Sequence, residues 1–367
     1  MVVSTSHTVR ARPIRIAILD KHSHHKALLA PLREAMYNFD EAGVRRALSE
    51  LCTPDCVFRY AHPLGEITGV DAFYEKALAP LFDAWQDLER RDWIVMAGGD
   101  DHACDWVGCG GNYYGLFTGP WLDIPPTGHL AHMRFHEFYR FENDKVVEVQ
   151  ALWDIPEVML QANAWPMAPS LGLEWHIPGP ATLDGHVQGP YDAQWGERSR
   201  QHIIDMLEHL KLHPSNPDPK VMEMERFWHP RMIWYGPAGI GTGRGISGFR
   251  HWHQIPFLNG MPDRGFERHK IKYHFFGDKD YAAVTGWPNM IQTVSHDGWM
   301  GIAPAGKKIT MKSLDFWRIE DGLIRENWVM VDILEAYHDL GVDVFARLRE
   351  FNKARNMGRI HIPSGME

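Results

Sequence analysis

The segment RFENDKVVEVQALWD, which ends at Asp154, returns 178 positions later as RIEDGLIRENWVMVD, which ends at Asp332. A period that long belongs to a duplicated domain, since solenoid units recur every ~20 to 50 residues. Within the match Phe138 aligns with Phe316, Arg140 with Arg318, Glu142 with Glu320, Glu148 with Glu326 and Glu157 with Glu335. Upstream the offset is 176, pairing Pro54 with Pro230, Gly69 with Gly245 and Phe73 with Phe249, so one intervening loop differs by two residues. One fold is expected twice, and with it two copies of whatever site that fold builds.

The 367 residues suit two domains of ordinary size, each large enough to bury its own core. A net charge of −9 gives no electrostatic reason to expect nucleic acid or an anionic membrane as a partner. No apolar run approaches the ~18 to 20 residues of a membrane span. A small molecule is the expected partner of a cytoplasmic protein, with the two halves acting as an internal pseudo-dimer that leaves room for further homo-oligomerisation. Fifteen Trp, 17 Phe and 11 Tyr supply aromatic faces that suit deep pockets and ordinary cores alike. Cys52, Cys56, Cys104 and Cys109 all fall in the first half with spacings that miss the usual C-x2-C hairpin, so they read as buried thiols. No metal and no cofactor is expected.

Each half opens with helical periodicity and continues as a run of strands. In the first, HKALLAPLREAMYNFDEAGVRRALSELC reads as two amphipathic helices, PDCVFRYAHPLGEITG as a broken strand and VDAFYEKALAPLFDAW as a helix. RRDWIVMAGG, ACDWVGCGGNYYGLF, HLAHMRFHEFYRF and KVVEVQALWD then read as strands. The fold class is α+β, with helices on one face of a curved antiparallel sheet. The expected boundaries are an arm at 1–27, a first domain at 28–165, a Pro/Gly-rich linker at 166–197, a second domain at 198–355 and a tail at 356–367. Gly239-Ile240-Gly241-Thr242-Gly243-Arg244-Gly245 is set aside as a dinucleotide loop because no βαβ unit surrounds it.

Helix, strand, helix and then strands ending in F-x-R-(F/I)-E-(N/D)-(D/G)-(K/L)-(V/I) with an Asp further on resemble the SnoaL-like polyketide cyclases. These are also called ester cyclases and belong to the cone-shaped nuclear-transport-factor-2-like folds. The resemblance implies cofactor-free acid/base chemistry on a carbonyl compound, with a strand-end Asp as the acid/base; by position this is Asp154 or Asp332. The family's E-x-W-x-x-x-D survives from Glu326 to Asp332, whereas the first repeat has Gln150 in the Trp position. The frequent H-D-F-Y reads His136-Glu137-Phe138-Tyr139 in one half and Leu314-Asp315-Phe316-Trp317 in the other.

Abstracting a proton beside a carbonyl needs a base held away from water, and a carboxylate among aromatic rings gains basicity by desolvation. Asp332, with Trp328 four residues earlier, suits that role; capping the following helix is the plainer use of both strand-end aspartates. Strand alternation puts His132, Arg134, His136 and Phe138 on one face, where the two histidines and the arginine would polarise or orient a substrate or else meet solvent. Tyr60, His62, His229, Trp234, Tyr235, Trp252, His253, Trp287, Asn289 and Trp328 complete the expected substrate contacts. The functional classes left open are a cyclase, isomerase or lyase, a binding protein for a hydrophobic or carbohydrate ligand, and one catalytic domain paired with a structural twin.

Overall fold

The computed structural model describes residues 20–212, 218–296 and 299–360, the last seven as backbone only. The expected arm up to residue 19 and the end of the tail lie outside the described residues.

The first domain runs α1 (Lys21–Tyr37), α2 (Glu41–Leu51), β1 (Cys52–Tyr60), β2 (Glu66–Thr68), α3 (Val70–Phe73), α4 (Ala79–Ala84), β3 (Glu89–Gly99), β4 (Asp105–Leu116), β5 (Leu130–Glu142), β6 (Lys145–Trp153) and α5 (Ile155–Gln161). The helix α1 starts inside the segment expected as an arm because Asp20 caps it, accepting from Ser23 N. Asp40 caps α2 in the same way through Gly43 N, and α2 buries the stripe Val44, Ala47, Leu48 and Leu51. The sheet order is β2-β1-β6-β5-β4-β3, antiparallel except for β1 beside β6.

The second domain repeats the plan as α6 (Ala193–Leu210), α7 (Met224–Phe227), β7 (Trp228–Tyr235), β8 (Gly243–Arg244), α8 (Gly245–Phe249), α9 (Ile255–Gly260), β9 (His274–Asp278), β10 (Tyr281–Thr285), β11 (Met290–Val294), β12 (Lys307–Met311), β13 (Ser313–Glu320), β14 (Leu323–Val331) and α10 (Ile333–Asp339), followed by α11 (Val344–Ile360). Its main sheet has the matching order β8-β7-β14-β13-β10-β9, with β7 parallel to β14. The α+β class and the duplication are both as the sequence leads one to expect.

The two sheets pack face to face. Ile94, Met96, Trp106, Phe138 and Leu152 of the first meet Phe276, Ala283, Phe316, Trp328 and Met330 of the second. The repeat partners Phe138 and Phe316 stack at 5.0 Å with 16° between their rings, which marks a pseudo-twofold axis. Gly108 allows that approach, since a Cβ there would lie 2.9 Å from Phe316 Cε1. The connecting segment straps both domains: Leu173 pairs with Thr242, His186 bridges to Val95, and Trp328 Nε1 donates to Pro178 O at 2.9 Å.

The halves part company at one hairpin. In the first domain β4 and β5 pair without interruption from Asp105–Phe141 to Leu116–Leu130. In the second the same hairpin is broken into β10–β13 and a separate two-stranded sheet, β11–β12. Pro288 has no N–H for the ladder, and the Asn289 side chain takes over, donating Nδ2 to Ser313 O at 2.5 Å and accepting from Ser313 N at 2.8 Å. The edge strand shortens as well, because residues 261–273 form an irregular connection where the first domain has only 85–88 between α4 and β3.

Candidate active site

On the helix-facing side of each sheet the β5 and β13 alternation places a carboxylate, Glu137 in the first cone and its repeat partner Asp315 in the second. Their surroundings are opposite. Glu137, 1% exposed, accepts from Arg90 Nη1 at 2.6 Å, Tyr113 OH at 3.2 Å, Tyr139 OH at 2.5 Å and Trp153 Nε1 at 3.0 Å. Arg90 is held in turn by Asp92, which also accepts from Arg33. Around this network, between Leu32, Phe58, Tyr60 and Phe73, only about 10 Å³ is free, too little to hold more than a water. The first cone is closed.

The second cone contains a cavity of about 330 Å³ adjoining a smaller chamber of about 90 Å³. Leu207, Arg264, Met290, Ser313, Asp315 and Trp317 line both. The displaced β11, with Met290, Ile291 and Gln292, forms one wall of the larger chamber, and the irregular connection with Arg264, Gly265, His269 and Tyr273 forms another. Trp228, Trp234, Phe249, Phe257 and Trp299 surround the smaller chamber. The volume falls in the range of small-molecule sites, which are mostly apolar with a few polar groups.

Asp315 is half-buried, and the surface it keeps opens into the cavity. Protein surrounds the carboxyl group, and desolvation pushes its pKa up to about 7 against the lowering influence of a 2.5 Å bond from Ser313 Oγ and the charge of Arg264. Desolvation likewise lowers the pKa of the Arg264 guanidinium. His253 is held neutral, its pKa lowered to about 3 by desolvation and then by Arg264, and its ring stacks on Trp234 at 4.1 Å. Four hydrogen-bonding atoms around the smaller chamber have no partner among the described residues: Trp228 Nε1, Trp299 Nε1, Trp317 Nε1 and His253 Nδ1. Gln292 Oε1 is likewise free beside the larger one. Buried donors without partners mark a place where water or a ligand supplies the missing bonds.

Of the residues expected from sequence, the cavity gathers Trp234, His253 and Asn289. Asn289 spends both ends of its amide on the Ser313 backbone. Tyr60 lies in the closed first cone, edge-on to Trp153. Trp252 is 51% exposed and His229 accepts from Arg231 N on the outer part of β7. The remaining expected residues meet between the domains, except His132, which lies against His176 of the connecting segment. Arg134 donates to Tyr235 O, Gly236 O and Val329 O of the second domain, and His136 Nδ1 contacts Leu314 O at 2.6 Å. His132 faces Glu157 at 3.2 Å. Tyr235 stacks on Trp328 and donates to Glu326. Trp287 lies under the Lys312 ammonium.

Asp154 and Asp332 take reciprocal positions. Asp332 Oδ2 accepts from His62 N at 2.8 Å, and Asp154 Oδ2 accepts from Ala238 N at 3.0 Å, His62 and Ala238 being partners at the upstream offset. Each carboxylate thus grips the loop after the first strand of the opposite domain. Asp332 also caps α10 through Glu335 N, and Asp154 receives Arg134 Nη2 at 3.3 Å. Burial raises both pKa values to about 7. The His62 ring stacks on His338 at 4.8 Å beside this latch. Neither aspartate lines the cavity of the second cone. A third interdomain contact joins Asp100 to His274 with Cys104 nearby, ligand atoms lying within 4.8 Å of one another. Asp100 is saturated there by His102 N, Cys104 N, Trp106 Nε1 and His274 Nδ1. The four cysteines are free thiols.

A duplicated cone with one open, carboxylate-bearing cavity defines the class of protein. The model of the SnoaL-like polyketide cyclases matches residues 30–162 and 218–340, and the chain belongs to that family. Solved structures similar to it include AclR, a candidate hydroxylase from Streptomyces galilaeus, at 21% identity over 41% of this chain and 87% of that one, with a TM-score of 0.34. A candidate SnoaL-like polyketide cyclase from Jannaschia sp. CCS1 matches at 21% identity over 41% and 95%, with a TM-score of 0.32. IdmH, a candidate polyketide cyclase from Streptomyces antibioticus, matches at 18% over 38% and 98%, also with a TM-score of 0.32. No curated protein matches the chain. Among the described residues no helix is long and apolar enough to cross a membrane.

Proposed function

We propose that the chain is a cofactor-free acid/base enzyme acting on a carbonyl-bearing small molecule in the cavity of the second domain, with the first domain as its structural twin. The observation that carries this reading is the contrast between Glu137, which four donors satisfy in a filled cone, and Asp315, whose carboxyl group faces a cavity with a pKa near neutrality. A carboxylate titrating near the working pH is suited both to take a proton and to return it. Asp315 removes a proton from the carbon beside the carbonyl, the electron pair moves onto the carbonyl oxygen, and the unpartnered Trp317 N–H two residues along the same strand stabilises that oxygen. Returning the proton at another carbon gives isomerisation; attack of the enolate carbon on a second carbonyl gives ring closure, with the proton passing from Asp315 to the new alkoxide oxygen.

The test is a screen of carbonyl substrates with Asp315→Asn, Asp154→Asn and Asp332→Asn. Asp315→Asn should lower turnover by about 100-fold or more, the usual contribution of a positioned acid/base, while both interface variants keep the turnover of their folded fraction. Full turnover in Asp315→Asn would sink the assignment.

A further inference from the structure

The Arg264 guanidinium has no hydrogen bond and no ion pair with any described residue, and its Nε is buried without a partner. It lies over the Phe257 ring, 5.3 Å from the centroid, between the two chambers of the cavity. Other cations near the mouth have a carboxylate partner, Lys211 and Arg268 both pairing with Glu208. Asp315, the acidic residue lining the cavity beside Arg264, forms no ion pair with it and keeps its carboxyl to Ser313. Arg264 is half-buried, and a partly desolvated cation held by no direct ion pair is costly; proteins leave such charges unpaired chiefly where something else completes them. A planar guanidinium matches a carboxylate with two parallel N–H donors.

Most of the surface the larger chamber presents is apolar, from Ile204, Leu207, Tyr273, Phe275, Val284 and Trp317, with polar groups such as Gln292, Ser313 and Asp315 set among them. A dry cavity of ~150 Å³ holds one benzene ring, so a chamber of about 330 Å³ takes a skeleton of roughly two fused rings. We propose that the ligand of this cavity is a compact, largely apolar ring compound bearing a carboxylate, and that Arg264 selects it through that carboxylate. The proposal rests on the second cone being the site of reaction, yet it concerns recognition and is tested by binding alone.

The experiment is calorimetric titration of the full chain with 2-naphthoate and with 2-naphthamide, which share a skeleton and differ in charge. The acid should bind at least about tenfold tighter than the amide, as expected of a charge-assisted pair. Arg264→Gln should abolish that preference, Arg264→Lys should retain part of it, and Asp315→Asn, which removes a negative charge from the same cavity, should keep or widen it. Equal affinity of acid and amide for the unmodified chain, a preference that survives Arg264→Gln, or no saturable binding of either probe would overturn the proposal. Loss of turnover in Asp315→Asn is read separately, so failure of the base assignment and failure of carboxylate recognition give different results.

Discussion

Replacing Asp315 by Asn should make the protein more stable at alkaline pH while removing its activity. The carboxyl group sits at about 7 in the folded chain against an ordinary 3.8, with desolvation as the main cause. A group whose folded pKa is raised binds its proton more tightly in the native state. Its contribution is fully present below about pH 4 and is lost as pH rises through about 7. Moving a carboxylic acid between those two values corresponds to roughly 4 kcal/mol between its protonation states. Asparagine is neutral at every pH, keeps an acceptor for Ser313 Oγ and has nearly the same volume. Urea unfolding should therefore find the variant's advantage growing by roughly 2.5 kcal/mol between pH 5 and pH 8.5, since roughly 1.5 of the roughly 4 kcal/mol is already lost by pH 5. Asp154 and Asp332 titrate in the same range, but they are common to both proteins and cancel in the difference. The same carboxylate acting as base gives kcat/KM a rising limb centred near 7. A stability difference that does not change between the two pH values, or a variant less stable near pH 8.5, would refute the desolvated carboxylate and with it the reason for calling Asp315 a base.

The packing predicts three further outcomes. Asp154→Ala leaves the Arg134 charge buried without its carboxylate, so stability should fall by roughly 3–5 kcal/mol in chemical unfolding, while turnover per folded molecule is unchanged. Glu137→Gln should cost less, about 1–3 kcal/mol, because Arg90 loses one of its two carboxylate partners and keeps Asp92, and ligand affinity of the second cone, measured by calorimetry, should not move. Gly108→Ala would press a Cβ to 2.9 Å from Phe316 Cε1. A loss of about 1–3 kcal/mol, typical of overpacking, should appear in thermal and urea unfolding.

The fold was legible because its signals are local and occur twice. The apolar stripe of α2 and the period-two strands each depend on a few neighbouring residues, and the strands recur in the second half, whereas the cap Asp20 stood inside the segment expected as an arm. The strand-end aspartates were equally visible, and their duplication made them look like a site. Yet what two copies of a domain share most faithfully is the surface by which they meet, and Asp154 and Asp332 are the reciprocal latch of that surface. Alternation correctly separated His132, Arg134 and His136 from Phe135 and Tyr139; it could not say that the polar row would face a second sheet. The cavity was hidden for the converse reason. Its walls are the segments that fail to repeat, the connection 261–273 and the detached β11–β12 hairpin, so Arg264 had no counterpart to draw attention to it. Asp315 stood inside the stretch that aligns with H-D-F-Y, but only the partners of Glu137 reveal that one of the two aligned carboxylates is occupied and the other free.

This asymmetry is something a fused pair permits and a homodimer forbids. In a homodimer every substitution appears on both sides of the axis, so a change that fills one cone fills the other. Within one chain the first cone can close around Arg90 and Glu137 while the second keeps a cavity whose unfilled volume costs several kcal/mol of packing. The contacts across the interface divide along the same line. The Phe138–Phe316 stack and the two aspartate latches obey the pseudo-twofold axis. Other contacts have no mirror image: Arg134 on three carbonyls of the second domain, Lys26 on Asp278, and Asp100 on His274. Such one-sided contacts tie a rigid domain to its neighbour without demanding the same residues in return. The closed domain therefore supplies, through one face, the buttress that lets the open domain hold a desolvated carboxylate and an unpaired guanidinium in place.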